Sequence, residues 1–336
     1  MPAASPADDP SLAGLGAPGS ATAASTFRLD VKGGEVRAAL ATSGVRAVLI
    51  KGPALARLLY GSSRSRAYMD VDLLVDPSAL ARAEEVLARL GFRRYEREAA
   101  VRSTDPSLGA AVGGQGSSHA TAWLRDQDGV FIDLHDSLPQ CDASPNVVWK
   151  ELCQHLDAAT IGGVATETLD RTASALLVAL HAAHHGPDWG ATDVDAALET
   201  FDLKTWLAAR NLAVTLEADA ALGVGLGMTA RGREMARELS LDYEPSGANR
   251  LQWSGAPWSA SVLEALVAER SLRARLAIAS RVLWPSPSAL RRGSTLARRG
   301  PAGLVAAYVV RIVNLAASLP AALRARRRAS RTDSSR

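Results

Sequence analysis

Two aspartates one residue apart, Asp70 and Asp72, open the apolar run Leu73-Leu74-Val75. In a strand, residues i and i+2 point to the same side, so both carboxylates project together while Val71, Leu73 and Val75 face a packed layer. Two like charges that close repel unless a cation lies between them. Mg2+, or Mn2+ in its place, suits such a pair, because it takes one or two carboxylates and fills its octahedron with water and phosphate oxygens. A third carboxylate, Asp133, lies in Ile132-Asp133-Leu134-His135, where Asp133 and His135 share the face opposite Ile132 and Leu134. Three carboxylates on neighbouring strands are what a two-metal site needs, one ion activating an attacking oxygen and one holding a triphosphate. His135 lies beside these ligands, and it reads equally as a packed, hydrogen-bonded core histidine.

The segment Leu49-Ile50-Lys51-Gly52-Pro53-Ala54 reads as a strand, a turn and a helix start. Its free backbone amides and the positive helix end suit a phosphate, and proline at the first helical position gives up a donor that would be unpaired anyway. The chain has four lysines against thirty-four arginines, so Lys51 at this turn is not a default of composition.

The elements that carry these residues follow from periodicity. A helix over 35–42, a strand over 46–50, a helix over 53–60, a strand over 70–75 and a helix over 77–90 ending at Gly91 are predicted in turn. Strands over 92–97, 119–125 and 129–135 follow, the last two as a hairpin. From residue 145 onward only helical periods are read, over 146–155, 170–185, 194–208 and 261–282, with no good strand. The fold class is therefore α+β, a mixed sheet with helices followed by an all-helical part. The divisions are a disordered leader over 1–25, a catalytic domain over 26–144, a helical domain over 145–323 and a basic disordered tail over 324–336.

These residues, in this order, resemble the polymerase-β-like nucleotidyltransferase superfamily. The segment Leu49 to Leu55 with Tyr60, then Arg66 and Asp70-Val71-Asp72-Leu73-Leu74-Val75, then Asp133-Leu134-His135, is similar to a bacterial "uncharacterised nucleotidyltransferase" family. That family carries a Leu-Lys-Gly-x-Ala-Leu turn before an Asp-x-Asp-Leu-Leu-Val strand. Its helix with paired histidines is matched by His181, His184, His185 and Trp189. The resemblance implies transfer of a nucleoside monophosphate from an NTP to an acceptor with loss of pyrophosphate. It implies that Asp70, Asp72 and Asp133 bind the metals, and that Lys51, the Gly52 amide and Arg66 neutralise the β- and γ-phosphates. The wider superfamily has Gly-Ser at the turn; here Gly52 is followed by Pro53.

Length and composition bound the rest. A chain of 336 residues with 47% hydrophobic and 22% charged residues has the surface to build a sizeable core, which excludes a wholly disordered or fibrous protein. Cys141 and Cys153, without Cys-x-x-Cys or zinc spacing, exclude a disulfide scaffold. With no export signal seen, the expected compartment is the cytoplasm. From residue 268 to the end there are fifteen arginines against Glu269 and Asp333, a net +13 within a chain of net +3. Such a block could meet a membrane, so peripheral membrane contact there stays open. Nucleic acid is not expected, because aromatic residues make up 5% and no stacking platform is visible. The apolar segment 302–323, interrupted by Arg311, reads as a helix packed on the helical domain, with a membrane or partner surface as the alternative.

Three other patterns in the sequence compete with this reading. His181 and His185 have zinc-pair spacing, but with no third ligand in view a core or nucleotide-facing pair is the simpler reading. Gly223 to Gly227 follows no strand, which argues against a dinucleotide loop, and no Walker A sequence occurs. Residues 109–118 read as a glycine-rich connection or lid. Two other function classes stay in view: a binding or scaffold protein that keeps the fold without turnover, and a metal-dependent nucleotide-sugar glycosyltransferase.

Overall fold

A computed structural model describes residues 20–61, 68–95, 119–254, 256–269, 271–285, 287, 290, 291, 294 and 296–333. Its centre is a mixed seven-stranded sheet in the order β3-β4-β5-β2-β1-β7-β6. The strands are β1 (Ala47–Leu49), β2 (Asp70–Val75), β3 (Arg93–Arg94), β4 (Ala120–Arg125), β5 (Val130–His135), β6 (Leu156–Ile161) and β7 (Val164–Leu169). β2 runs parallel to β5 and antiparallel to β1, so the two strands that carry the aspartates are immediate neighbours.

The two faces of the sheet are sorted by residue parity. Leu49, Val71, Leu73, Val75, Ile132 and Leu134 join one core with Leu29, Val36 and Leu40 of helix α1 (Ser20–Thr42) and Val86 and Leu87 of α3 (Leu80–Arg89). Val48, Ile50 and Leu74, one residue out of step, join a second core. That core includes Leu55 of α2 (Pro53–Tyr60), Val148 of α4 (Pro145–Leu152) and the buried length of α5 (Arg171–His185). Asp70, Asp72, Asp133 and His135 have the parity of the second face, toward the helices that follow the sheet.

Those helices are α5, α6 (Pro187–Thr200), α7 (Leu203–Thr215), α8 (Asp219–Leu226), α9 (Ala230–Glu238), α10 (Gly247–Trp253), α11 (Trp258–Ala268), α12 (Leu272–Leu283) and α13 (Pro301–Asp333). The α+β class and the helical C-terminal region thus agree with the sequence reading.

The structure corrects four expectations. Two strands lie beyond residue 145: β6 and β7 form a hairpin whose two-residue turn, Gly162-Gly163, has φ of 63° and 78°. β7 pairs in parallel with β1, so the sheet continues past the boundary drawn at residue 145. The hairpin escaped periodicity because Asp157, Thr160, Thr166 and Glu167 give it polar strands, while the Gly-Gly pair was its local signal.

Helix α1 begins at Ser20, inside the stretch read as a disordered leader; residues 1–19 lie outside the described residues. Gly33-Gly34 looks like a break in sequence. In the fold a Cβ on Gly33 would lie 3.1 Å from Val71, and one on Gly34 3.0 Å from Val164, so these glycines let the helix lie close on the sheet.

The predicted helix over 194–208 divides into α6 and α7, because the Asp202 carboxylate accepts from the Thr205 amide and restarts the helix. The predicted helix over 261–282 likewise divides into α11 and α12. Finally, the tail over 324–336 is helical as far as Asp333. Its alanines give it something to bury, since Ala325 and Ala329 pack on the cluster of Leu251, Ala260 and Ala322, and Arg326 pairs with Glu264 at 2.7 Å.

Candidate functional site

The parallel pairing of β2 with β5 sets Asp72 directly beside Asp133, and Leu74 beside His135. One ligand atom from each of Asp72, Asp133 and His135 lies within 4.8 Å of the others. Asp70, two residues before Asp72 on the same strand face, adds a third carboxylate to this electrostatic cluster. Burial, followed by the charges of Asp72 and Asp133, pushes its carboxyl up to about 6.

Asp72 is held in the opposite sense. Its burial disfavours charge, but the Lys51 ammonium and a bond to His135 outweigh that and hold the carboxyl well below the usual carboxylate range. Lys51 Nζ donates to Asp72 Oδ1 at 2.9 Å, and His135 Nε2 is also 2.9 Å from that oxygen. Both partners of the ion pair are largely shielded, at 14% and 5% exposure. Asp72 therefore has a protein cation in place, whereas Asp70 is short of positive charge. That shortage and the oxygen-and-imidazole donor set fit a hard divalent cation.

Lys51 reaches Asp72 because of the turn beneath it. The Ile50 amide donates to the Asp72 carbonyl at 3.1 Å, extending the β1–β2 pairing to the residue before Lys51. The chain then reverses through Gly52 at φ 59° and ψ −122° before Pro53 starts α2. A side chain is strained in that conformation, although a Cβ would meet nothing closer than 3.5 Å. Gly52→Ala is expected to cost about 2 kcal/mol through the backbone alone, read as a lower melting temperature. It is also expected to shift Lys51 relative to Asp72; unchanged melting would show that the turn accommodates a side chain.

Around this centre stand four more imidazoles, so five of the six histidines gather here. The His119 ring lies 5.4 Å from those of His135 and His184, His184 lies 4.6 Å from His185, and His185 lies 4.4 Å from His181. Burial, the neighbouring His185 and the Lys51 charge push the His184 imidazole down to about 3, so it is neutral at ordinary pH. Gln252 donates to the His184 carbonyl at 2.9 Å and Trp253 to the Ala183 carbonyl at 3.1 Å, which secures the end of α5 that presents these rings.

Residues 17–232 match the family described as uncharacterised nucleotidyltransferase. The chain belongs to that family. No curated protein matches it. The match takes in all seven strands of the sheet and the helices through the start of α9, whereas α10 to α13 lie beyond it.

Of the residues singled out in the sequence, Lys51, Asp72, Asp133 and His135 meet at one point, with Gly52 shaping the turn beside them and Asp70 coupled electrostatically. Arg66 and the glycine-rich connection over 109–118 lie outside the described residues. Two members of the cluster, His119 and His184, had no assigned part. His119 carries no motif, and only the pairing of Ala120 with His135 reveals that it stands at the site. His181 and His185 do stack at i, i+4, but the group of metal-ligating side chains found among the described residues is Asp72, Asp133 and His135.

Proposed function

We propose that this family member transfers a nucleoside monophosphate from an NTP to a hydroxyl or phosphate oxygen of an acceptor, releasing pyrophosphate. The observation that carries the reading is the pairing of Asp72 with Asp133 on parallel strands, with Asp70 on the same face. In this reaction a bond forms between the acceptor oxygen and the α-phosphorus, the bond to the bridging oxygen of the β-phosphate breaks, and where the acceptor is a hydroxyl its proton passes to the Asp133 carboxylate. Mg2+ or Mn2+, held by Asp70, Asp72 and Asp133 with His135 adjoining, would supply Lewis-acid polarisation of the phosphoryl group and lower the pKa of the attacking hydroxyl.

The chain's own groups do the rest. Lys51 turns from Asp72 toward the β- and γ-phosphates once that carboxylate has another counter-charge, and the Gly52 amide at the start of α2 assists it. Arg66 is proposed to share that charge. His135 orients the Asp72 carboxylate, while neutral His184 offers a hydrogen bond without adding charge.

The purified protein, given each NTP in turn with Mg2+ or Mn2+ and a panel of hydroxyl and phosphate acceptors, is expected to release pyrophosphate only when metal is present. Metal-dependent NTP binding without pyrophosphate from any acceptor would favour the second reading, a binding protein that has kept the fold. One observation supports that alternative: Lys51 already neutralises Asp72, a carboxylate that an active site must make available to a cation.

A further inference from the structure

Helix α13 is built inside out. In a helix packed on a soluble protein the apolar stripe faces the core and the charged residues face water. Here the residues turned inward are Ala307, Arg311 and Ala322, all buried, with Leu315 partly buried between them, at steps of four, four and seven along the helix. Arg311 is 2% exposed, and its Nε and one terminal nitrogen donate to the Val282 carbonyl at 2.9 and 2.6 Å. It thus closes the end of α12 with a cation, where the helix dipole favours one. The arginine that interrupts the apolar run in sequence is therefore the residue that faces inward.

The outward face carries the large apolar side chains. Val305, Val309, Ile312, Val313, Leu319 and Leu323 are between 42% and 64% exposed. The most apolar 18-residue window of the helix has a mean hydropathy of 1.7, yet only 17% of it is buried. From Val305 to Leu323 this stripe runs about 27 Å at 1.5 Å per residue. A continuous apolar surface of that length on a soluble protein marks a contact with something else.

Charge selects what that something is. The apolar stripe leads into Arg324, Arg327 and Arg328, all exposed on the same helix. The region from residue 268 onward is net +13 while the protein as a whole is +3. A second copy of this face would bring the two basic regions together, whereas an anionic bilayer neutralises them and takes up the apolar side chains at once.

By length and composition α13 could cross a membrane. Its packing argues for lying flat instead. It is docked along its whole length, through Tyr308 to the Pro285 carbonyl, Arg311 to Val282, Leu315 on Val262 and Val282, and Arg326 to Glu264. A spanning orientation would carry the Arg326–Glu264 pair and the helices bearing these partners into hydrocarbon.

We propose that the outward face of α13 is a membrane-docking surface that seats the protein on an anionic lipid bilayer, with the helix in the interface plane and its arginines on acidic headgroups. The inference stands apart from the transfer reaction, because none of its residues belongs to the Asp72 cluster.

Sedimentation of the full chain with vesicles tests it. Vesicles of phosphatidylcholine containing about one-third phosphatidylglycerol are expected to bring the protein down, pure phosphatidylcholine is not, and added salt should release it. Val309→Asp with Val313→Asp should weaken binding tenfold or more, and the milder Val309→Ser with Val313→Ser should weaken it in the same direction. Both pairs replace exposed side chains, so melting temperature and metal-dependent NTP binding should stay as in the parent protein. Arg324→Gln and Arg328→Gln are expected to weaken binding about fivefold each. Equal sedimentation with neutral and anionic vesicles would overturn the proposal. So would a dimer in sedimentation velocity that these valine substitutions dissociate, in a protein that ignores vesicles.

Discussion

Asp72→Asn and Asp70→Asn are both expected to abolish pyrophosphate release, yet to move the melting temperature of the metal-free protein in opposite directions. The sequence alone suggests that removing any one of three clustered carboxylates should relieve repulsion and leave stability equal or raised. The structure divides the three. Asp72, itself 5% exposed, is the counter-charge of a lysine 14% exposed, at 2.9 Å. Neutralising it leaves the Lys51 ammonium without its carboxylate, a loss of roughly 3 kcal/mol for a shielded pair.

Asp70 is the reverse case. Its carboxyl is raised from 3.8 to about 6, by burial first and then by Asp72 and Asp133. The native state therefore binds a proton that the unfolded chain has already released. The favourable contribution of protonated Asp70 is full below about pH 4 and is lost as pH rises through about 6. Above that, ionised Asp70 costs roughly 2–3 kcal/mol, and Asp70→Asn returns it.

Asp72 has the opposite slope, because its folded carboxyl lies below the ordinary range. Its contribution is present above the unfolded value and fades only as pH falls toward the folded one. Melting curves at pH 4 and pH 7.5 should therefore show Asp70→Asn gaining stability chiefly at the higher pH. Adding Mg2+ should raise the melting temperature of the parent protein and do less for either variant. A melting temperature that Asp70→Asn lowers at pH 7.5 would mean that Asp70 is satisfied by groups other than a cation.

How much of this was legible depended on the range of the interaction that fixes each element. β2 was legible to its residues and β5 to within one, because an apolar alternation with acids on one parity is a local pattern. The same alternation told which side of the sheet the carboxylates occupy. The β6–β7 hairpin was not read: its strands are polar on the exposed side and owe their place to the β1 edge, which no local window contains. The start of α1 was lost to Gly33-Gly34, whose meaning lies in the closeness of Val71 and Val164 rather than in the helix itself. In α13 the apolar composition is legible in sequence but the orientation is not, since only the fold shows that Arg311 faces in and the valines face out. The Lys51–Asp72 contact spans twenty-one residues and two strands, so the turn suggested a phosphate ligand while the structure first gives Lys51 a carboxylate.

That contact leads to the second large effect, on Lys51. As a ligand of the departing pyrophosphate, the ammonium should matter more in the transition state than in the ground state, since charge grows on the leaving oxygens as the α-phosphorus bond breaks. Lys51→Ala is then expected to lower kcat/KM by about tenfold to a thousandfold, or roughly 1.4 to 4 kcal/mol. Lys51→Arg should recover part of the loss, because a planar guanidinium does not reproduce a compact charge at a tight turn. The ion pair adds a consequence of opposite sign. Lys51 Nζ occupies a position against Asp72 Oδ1 that a cation would compete for. Removing it leaves Asp70, Asp72 and Asp133 with less compensating charge, so Mg2+ or Mn2+ should bind the nucleotide-free Lys51→Ala protein tenfold or more tightly. Calorimetric titration with Mn2+ reads that affinity directly, alongside turnover under saturating metal. Tighter metal binding together with slower transfer is the signature of a lysine that guards the carboxylates and then serves the phosphates. If Lys51→Ala weakens metal binding as well as transfer, the lysine acts only by holding Asp72 in place, and its assignment to the pyrophosphate falls.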